Sequence, residues 1–411
     1  MLFQFLFVLA PLCTLGFCRA LTIPDLRKPE VLDHYNATLN ARVVLPDPTQ
    51  AANPKTTNLF SVGTAATPGN CLSDTSTIDG WLEESVDLHN AATSVFAYWQ
   101  SSSACRYLLA AWLGVEFSKS NGVWSVATSS QANFNTIESR MSSVSVFLNG
   151  GGVSSPVTNA PPWIFCGGGF ANYQPWGQPA MDHAGQYIPN GYASDGVTVT
   201  SYLTVQEAFP SLFAQYTPSA PWLPYWITAL DGYYFDKKEI CSSQTTQRYA
   251  STTTRGYTPQ NQYVAVSSWD RNVFFCPRAF SPTTVANPST AHSVASLATA
   301  VSTGMYPTSP FPQAALDQYI PLSGTMYHEL YHITDSAQTS NDAVGAVGLA
   351  SRSAITGSPV DKATLTGNAE SYLYFAMAAY MYLNAPGSTP PVLFLQGGLP
   401  MLASDAVAKW G

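Results

Sequence analysis

The chain has 411 residues, a formal net charge of −8 and a pI of about 5.1. An acidic balance of this kind excludes general affinity for nucleic acid. Only 10% of residues are charged, against about a quarter in an average protein, while 13% are aromatic. The length supports one large domain or two moderate ones with a sizeable core.

In chain order, Met1–Ala20 is almost wholly apolar and ends Cys18-Arg19-Ala20, with small residues where a signal peptidase reads. It is too short to span a bilayer and predicts a cleaved secretory signal. No later apolar run approaches a transmembrane length, so no stable membrane insertion is expected. Five cysteines follow the signal: Cys71, Cys105, Cys166, Cys241 and Cys276. In an oxidising compartment they predict two disulfides and one free thiol, with the pairing open. Asn36-Ala37-Thr38 is a glycosylation sequon, consistent with secretion.

Residues 21–65 carry Pro24, Pro29, Pro46, Pro48 and Pro54 with little periodicity. They read as a leader or propeptide, or equally as an ordinary strand and loop. Residues 77–100 predict an amphipathic helix through Ile78, Trp81, Leu82, Val86, Val95, Phe96 and Trp99. His89 falls near its apolar side and reads as a packing histidine rather than a ligand. Leu108–Val115 is a second apolar segment, and 131–148 is helical again through Ile137, Met141, Val144 and Phe147.

From about 150 to 257 the composition turns to Gly, Tyr and Trp, which predicts loops and short strands. Trp163–Cys166 and Val197–Leu203 are the strand candidates. Asp182-His183 is a poor second ligand set. Strand character returns at Tyr263–Val266 and Val273–Cys276, and 287–300 is an Ala/Ser-rich helix candidate. Residues 366–383 predict the last strong helix, with Thr366 or Asn368 as cap and Glu370 in the first turn. Residues 386–411 form a C-terminal tail.

The chemistry concentrates at His328-Glu329-Leu330-Tyr331-His332. Residues four apart share a helix face, so H-E-x-x-H presents two imidazoles to one metal ion. The glutamate beside them is placed to act as general base on a water. On a wheel of about 100° per residue, Leu330 and Ile333 fall within about 40° of Met326, and the histidines lie opposite. Thr325 is the expected N-cap. A catalytic zinc takes three protein ligands and keeps a position open. The candidates for the third are Asp335, Asp342, Asp361 and Glu370, and the choice narrows to Asp342 or Glu370. The longer metzincin signature is absent, because Asp335 and Gln338 stand at its last two positions.

These residues resemble the deuterolysin-like zinc endopeptidases, the aspzincins, which include the peptidyl-Lys metalloendopeptidases. Members are secreted and carry H-E-x-x-H, then a G-T-x-D-x-x-Y-G loop with an aspartate ligand, then a helix opening N-A-D-[ST]-Y. The similar stretches here are His328–His332, Ser340-Asn341-Asp342-Ala343-Val344-Gly345 and Asn368-Ala369-Glu370-Ser371-Tyr372. Phe275-Cys276-Pro277 and the early helix after Cys71 are also similar. The better-matched part runs from about 262 to 384.

The resemblance implies an α+β, zincin-like metalloprotease fold, mainly helical with a small sheet, its active-site helix carrying H-E-x-x-H. The catalytic domain would span 66–385, with an insertion around 150–257. It implies Zn2+ held by His328, His332 and Asp342, with Glu329 as the catalytic base and protein or peptide as substrate. A monomer is expected. Two positions depart from the family pattern. Gly345 stands where the loop tyrosine belongs, which leaves Tyr372 as the candidate by residue type. Glu370 replaces the aspartate that, in lysine-specific members, holds a cationic substrate side chain. The alternatives are a gluzincin-type peptidase with Glu370 as ligand, or a catalytically inactive secreted binding protein on the same scaffold.

Overall fold

A computed structural model describes residues 54–153, 161–182, 184–219, 221–237, 239–241, 250–254, 271–280, 294–302, 315–335, 362–384, 392–394 and 400–403. The signal, the sequon, the leader to residue 53, His183, Tyr263–Val266, Asp342, Gly345 and Asp361 lie outside the described residues, as does most of the tail.

Where apolar residues recur every three or four positions, helices form and bury that stripe. Helix α1, Thr75–Ala97, buries Ile78, Trp81, Leu82, Val86 and Val95. Helix α2, Ser103–Leu113, starts where the Ser102 hydroxyl accepts the Cys105 N–H. It stops at Gly114, whose φ of 68° suits glycine. A side chain there would also press on Leu365 and Lys362. Helix α3 is Gln131–Leu148, the span its periodicity predicts.

Helix α4, Leu297–Ser302, covers the end of the Ala/Ser-rich stretch, whose residues 287–293 lie outside the described residues. Helix α5, Ser323–Thr334, carries the H-E-x-x-H. It begins two residues before the expected cap, so Thr325 is buried inside it and Leu322 holds the cap position. The last helical segment is broken in two. Helix α6, Lys362–Gly367, is separated from α7, Ala369–Leu383, by Asn368 at φ −99° and ψ 115°. Asn368 thus sits at the cap position, although its side chain makes no cap bond.

Helix α7 is buried on nearly every side; Ala369 and Tyr372 through Ala379 have no exposed surface. A helix apolar all round belongs inside the protein, and α7 packs against α1, α2 and α5. Helix α5 in turn packs against α1 and α3. These helices share one large core, to which Leu59, Phe60 and Val62 also contribute. The end of the expected leader is therefore part of the main fold.

The sheets are small. Strands β1 (Phe117–Ser120) and β2 (Val123–Val126) form a hairpin. The strand β3, Trp163–Cys166, pairs in parallel with β10, Arg271–Phe275, which pairs antiparallel with β9, Ala250–Thr254. Strand β10 is buried along its whole length, as expected of a central strand. A second sheet orders β4 (Asn172–Tyr173), β7 (Leu223–Ile227) and β8 (Gly232–Asp236). Beside these are two hairpins, β5 (Pro189–Tyr192) with β6 (Val199–Tyr202), and β11 (Val392–Phe394) with β12 (Pro400–Leu402). The middle of the chain has a separate small core of Trp176, Ile188, Phe209, Trp226, Tyr233 and Phe235. Asp182 makes a turn there, accepting the N–H groups of Ala184 and Gln186.

Two disulfides, Cys71–Cys166 and Cys241–Cys276, join the ends of β3 and β10 to neighbouring chain, and Cys105 is a buried free thiol. The count is the one the sequence predicts and fits an oxidising compartment. Burial pushes the Cys105 thiol up to about 11, so it remains protonated and unreactive. Among the described residues, no helix is long and apolar enough to cross a membrane.

Candidate metal centre

Helix α5 is held at both ends and along its back. At its N-terminus, the Ser323 hydroxyl donates to Glu84 Oε2 at 2.5 Å. The other oxygen of Glu84 accepts the Leu297 N–H at 2.9 Å. One carboxylate from α1 therefore serves the first turns of both α4 and α5, where the helix dipole favours negative charge. Burial holds the Glu84 pKa above its ordinary value, and these two bonds offset only part of that rise.

At the C-terminus, Arg271 of β10 donates to the carbonyls of Ile333 and Asp335, the second at 2.6 Å. Helix ends leave such carbonyls without an intrahelical partner, and a cation there also suits the dipole. Arg140 of α3 lies 3.5 Å from the Asp335 carboxylate and donates to the Thr366 carbonyl at 2.5 Å. Asp335, the nearest of the third-ligand candidates in sequence, is thus buried and paired with an arginine.

The back of α5 is polar but shut away from water. The Tyr327 and Tyr331 hydroxyls are 3.0 Å apart. His89 bridges Tyr327 and Ser145, its Nδ1 3.3 Å from the Tyr327 hydroxyl and its Nε2 2.6 Å from the Ser145 hydroxyl. It is the satisfied packing residue the sequence suggests. Burial lowers its pKa to about 4, so the ring is neutral. Tyr331 stacks on Tyr372 with centroids 4.2 Å apart, and the Tyr372 hydroxyl donates to the Thr366 carbonyl. Tyr372 has no exposed surface and lies in the core behind the helix.

The front is different. Of the 12 residues of α5, only His328 and His332 are more than marginally exposed. Their Nε2 atoms face each other at 3.2 Å. Zinc–nitrogen bonds of about 2.0–2.1 Å at a tetrahedral angle separate two ligand nitrogens by about 3.3–3.4 Å. The 3.2 Å separation is close to that spacing and is also a hydrogen-bond distance between the two rings. Glu329 lies in the same turn and is 4% exposed. His328 Nδ1 is 2.8 Å from Glu370 Oε2, reaching across from the first turn of α7. The structure thus brings together His328, His332 and Glu370, has the buried Glu329 next to His328 in the chain, and leaves Tyr372 in the core. Among the described residues no group of three His, Cys, Asp or Glu converges on one point.

The sequence reading missed the residues that hold α5: Glu84, Arg140, Arg271, Tyr327 and Tyr331. Their signal was weak. Buried charges in a chain with few of them were the only hint. No family model, curated protein or solved structure matches this chain.

Proposed function

We propose that this chain is a secreted zinc-dependent endopeptidase. The observation that carries the reading is the approach of His328 Nε2 and His332 Nε2 to 3.2 Å on the one partly exposed face of an otherwise buried helix. Without metal the two rings share a hydrogen bond at that separation, and with metal the same two nitrogens would serve as ligands. The adjacent Glu329 supports a catalytic role over a purely structural one, since a structural zinc needs no general base. The two disulfides support an oxidising, extracellular destination.

In this reading His328 and His332 hold the metal and Asp342 completes the ligand set. Zinc, when bound, supplies Lewis-acid polarisation and a water acidic enough to attack near neutral pH. Glu329 accepts the proton of the attacking water and delivers it to the leaving amine as the peptide bond breaks. The surrounding web of Glu84, Arg140, Arg271 and His89 keeps the helix, and so the two imidazoles, in one geometry.

The test is casein digestion by the purified protein with and without a chelator, alongside the Glu329→Gln variant. Cleavage is expected to stop with chelator and return with added zinc. Glu329→Gln is expected to keep its zinc and lose on the order of 100- to 10,000-fold in turnover. Near-normal turnover of that variant would overturn the assignment of the base. Zinc binding without any cleavage, in a protein trimmed to residue 54, would favour a binding protein on this scaffold.

A further inference from the structure

We infer that Glu370 is a positioning residue for His328: it fixes the ring and its tautomer, and neither ligates the metal nor reads a cationic substrate side chain. This rests on the zinc reading above. The His328 Nδ1 to Glu370 Oε2 contact is 2.8 Å, a charge-assisted hydrogen-bond distance. The two side chains are 15% and 10% exposed, so the bond meets little competition from water.

Imidazole chemistry sets the consequence. A carboxylate at Nδ1 holds the proton there, which makes Nε2 the lone-pair nitrogen of the ring and so the atom able to bind a metal. Nε2 is the atom that faces His332. Nδ1 and Nε2 point away from different edges of the ring, so a carboxylate occupied at Nδ1 lies off the metal's side.

The placement of Glu370 is rigid. Asn368 breaks the chain between α6 and α7, and its side-chain amide donates to the buried Ser371 hydroxyl at 3.1 Å. Glu370 then projects from the first turn of a helix buried on nearly all sides. It is 8% exposed overall. An acid so enclosed, with an oxygen on a histidine, is poorly placed to receive an ammonium group from a substrate. Any preference for basic residues must therefore come from other residues.

The experiment measures zinc affinity of the whole protein by competition with a chelator of known strength, for wild type, Glu370→Gln and Glu370→Asp. Far-ultraviolet circular dichroism checks the fold. Glu370→Gln is expected to bind zinc about 10- to 100-fold more weakly, and Glu370→Asp, which keeps the charge, is expected to fall between. The visible spectrum of the cobalt-loaded protein is expected to shift in Glu370→Gln. Fragment ends at saturating zinc are expected to match wild type.

Zinc affinity within about twofold of wild type would overturn the inference, as would changed fragment ends with unchanged affinity. Complete loss of zinc from a folded Glu370→Gln would make the residue a ligand and overturn it too. If Glu370→Gln does not fold, Glu370→Asp carries the same test: weakened zinc binding supports the inference and unchanged binding overturns it. Failure of wild type to bind zinc is a separate result, since it removes the endopeptidase reading itself.

Discussion

His89 shows how a single buried side chain ties this fold to pH. Its folded value of about 4 lies below the ordinary 6.5, because burial penalises the charged ring. The unfolded chain therefore takes up a proton below about pH 6.5 that the folded one refuses. The stability contributed by the neutral ring is full above that pH and is lost as pH falls toward 4. The depression corresponds to about 3 kcal/mol at its full extent. Urea titrations at pH 7 and pH 4.5 are expected to show a smaller loss for His89→Gln than for wild type. Equal losses would contradict this account. His89 was legible as a packing residue because it falls on the apolar side of a periodic helix. Its partners Tyr327 and Ser145 were not, since they lie 238 and 56 positions away and no local pattern encodes the meeting.

At the scale of the element, α5 is a helix whose two ends are set by other segments. Arg271 satisfies the carbonyls at the point where the chain leaves the helix toward Asp342. Arg271→Met is expected to leave buried acceptors unpaired, at about 1–3 kcal/mol each. A lower urea midpoint and faster amide exchange over Leu330–Thr334 would report it. Arg271→Lys should recover only part, because an ammonium lacks the planar fork that reaches two carbonyls at once. An unchanged midpoint in Arg271→Met would refute the role. Helices α1, α3 and α7 were legible because their apolar residues keep a helical period over many turns. The break at Asn368 was foreseen only as a cap. The wheel of α5 gave Met326, Leu330 and Ile333 as buried but not Tyr327 and Tyr331, since a tyrosine's hydroxyl leaves its side undecided until a partner is known. The histidine pair was readable from its spacing alone. The place of Glu370 at His328 Nδ1 depends on how α7 crosses α5, which spacing does not contain.

At the scale of the whole molecule, β3 and β10 give Ile164, Val273 and Phe275 to the large helical core and Phe165 and Phe274 to a third cluster with Phe170, Tyr225 and Ile227, and the disulfides lie at those strands. The loop-closure account of disulfides predicts a cost of about 4–5 kcal/mol for removing either bridge. The bridges span separations of 95 and 35 residues. On that account the Cys71–Cys166 pair contributes about 1 kcal/mol more than Cys241–Cys276. Paired Cys→Ala variants compared by urea unfolding check the order, and the reverse order would contradict the entropic explanation. The contacts that hold α5, from Glu84, Arg271, His89 and Glu370, bear on one proposed outcome, two imidazoles kept at a separation that suits a single metal ion. The most direct measurement is therefore the zinc content of the purified wild-type protein beside His328→Ala and His332→Ala variants that retain the fold. The account predicts about one zinc per wild-type chain and a loss of tight binding in both variants. A folded wild-type protein without zinc, or variants that keep it, would contradict the claim that this helix is a metal centre.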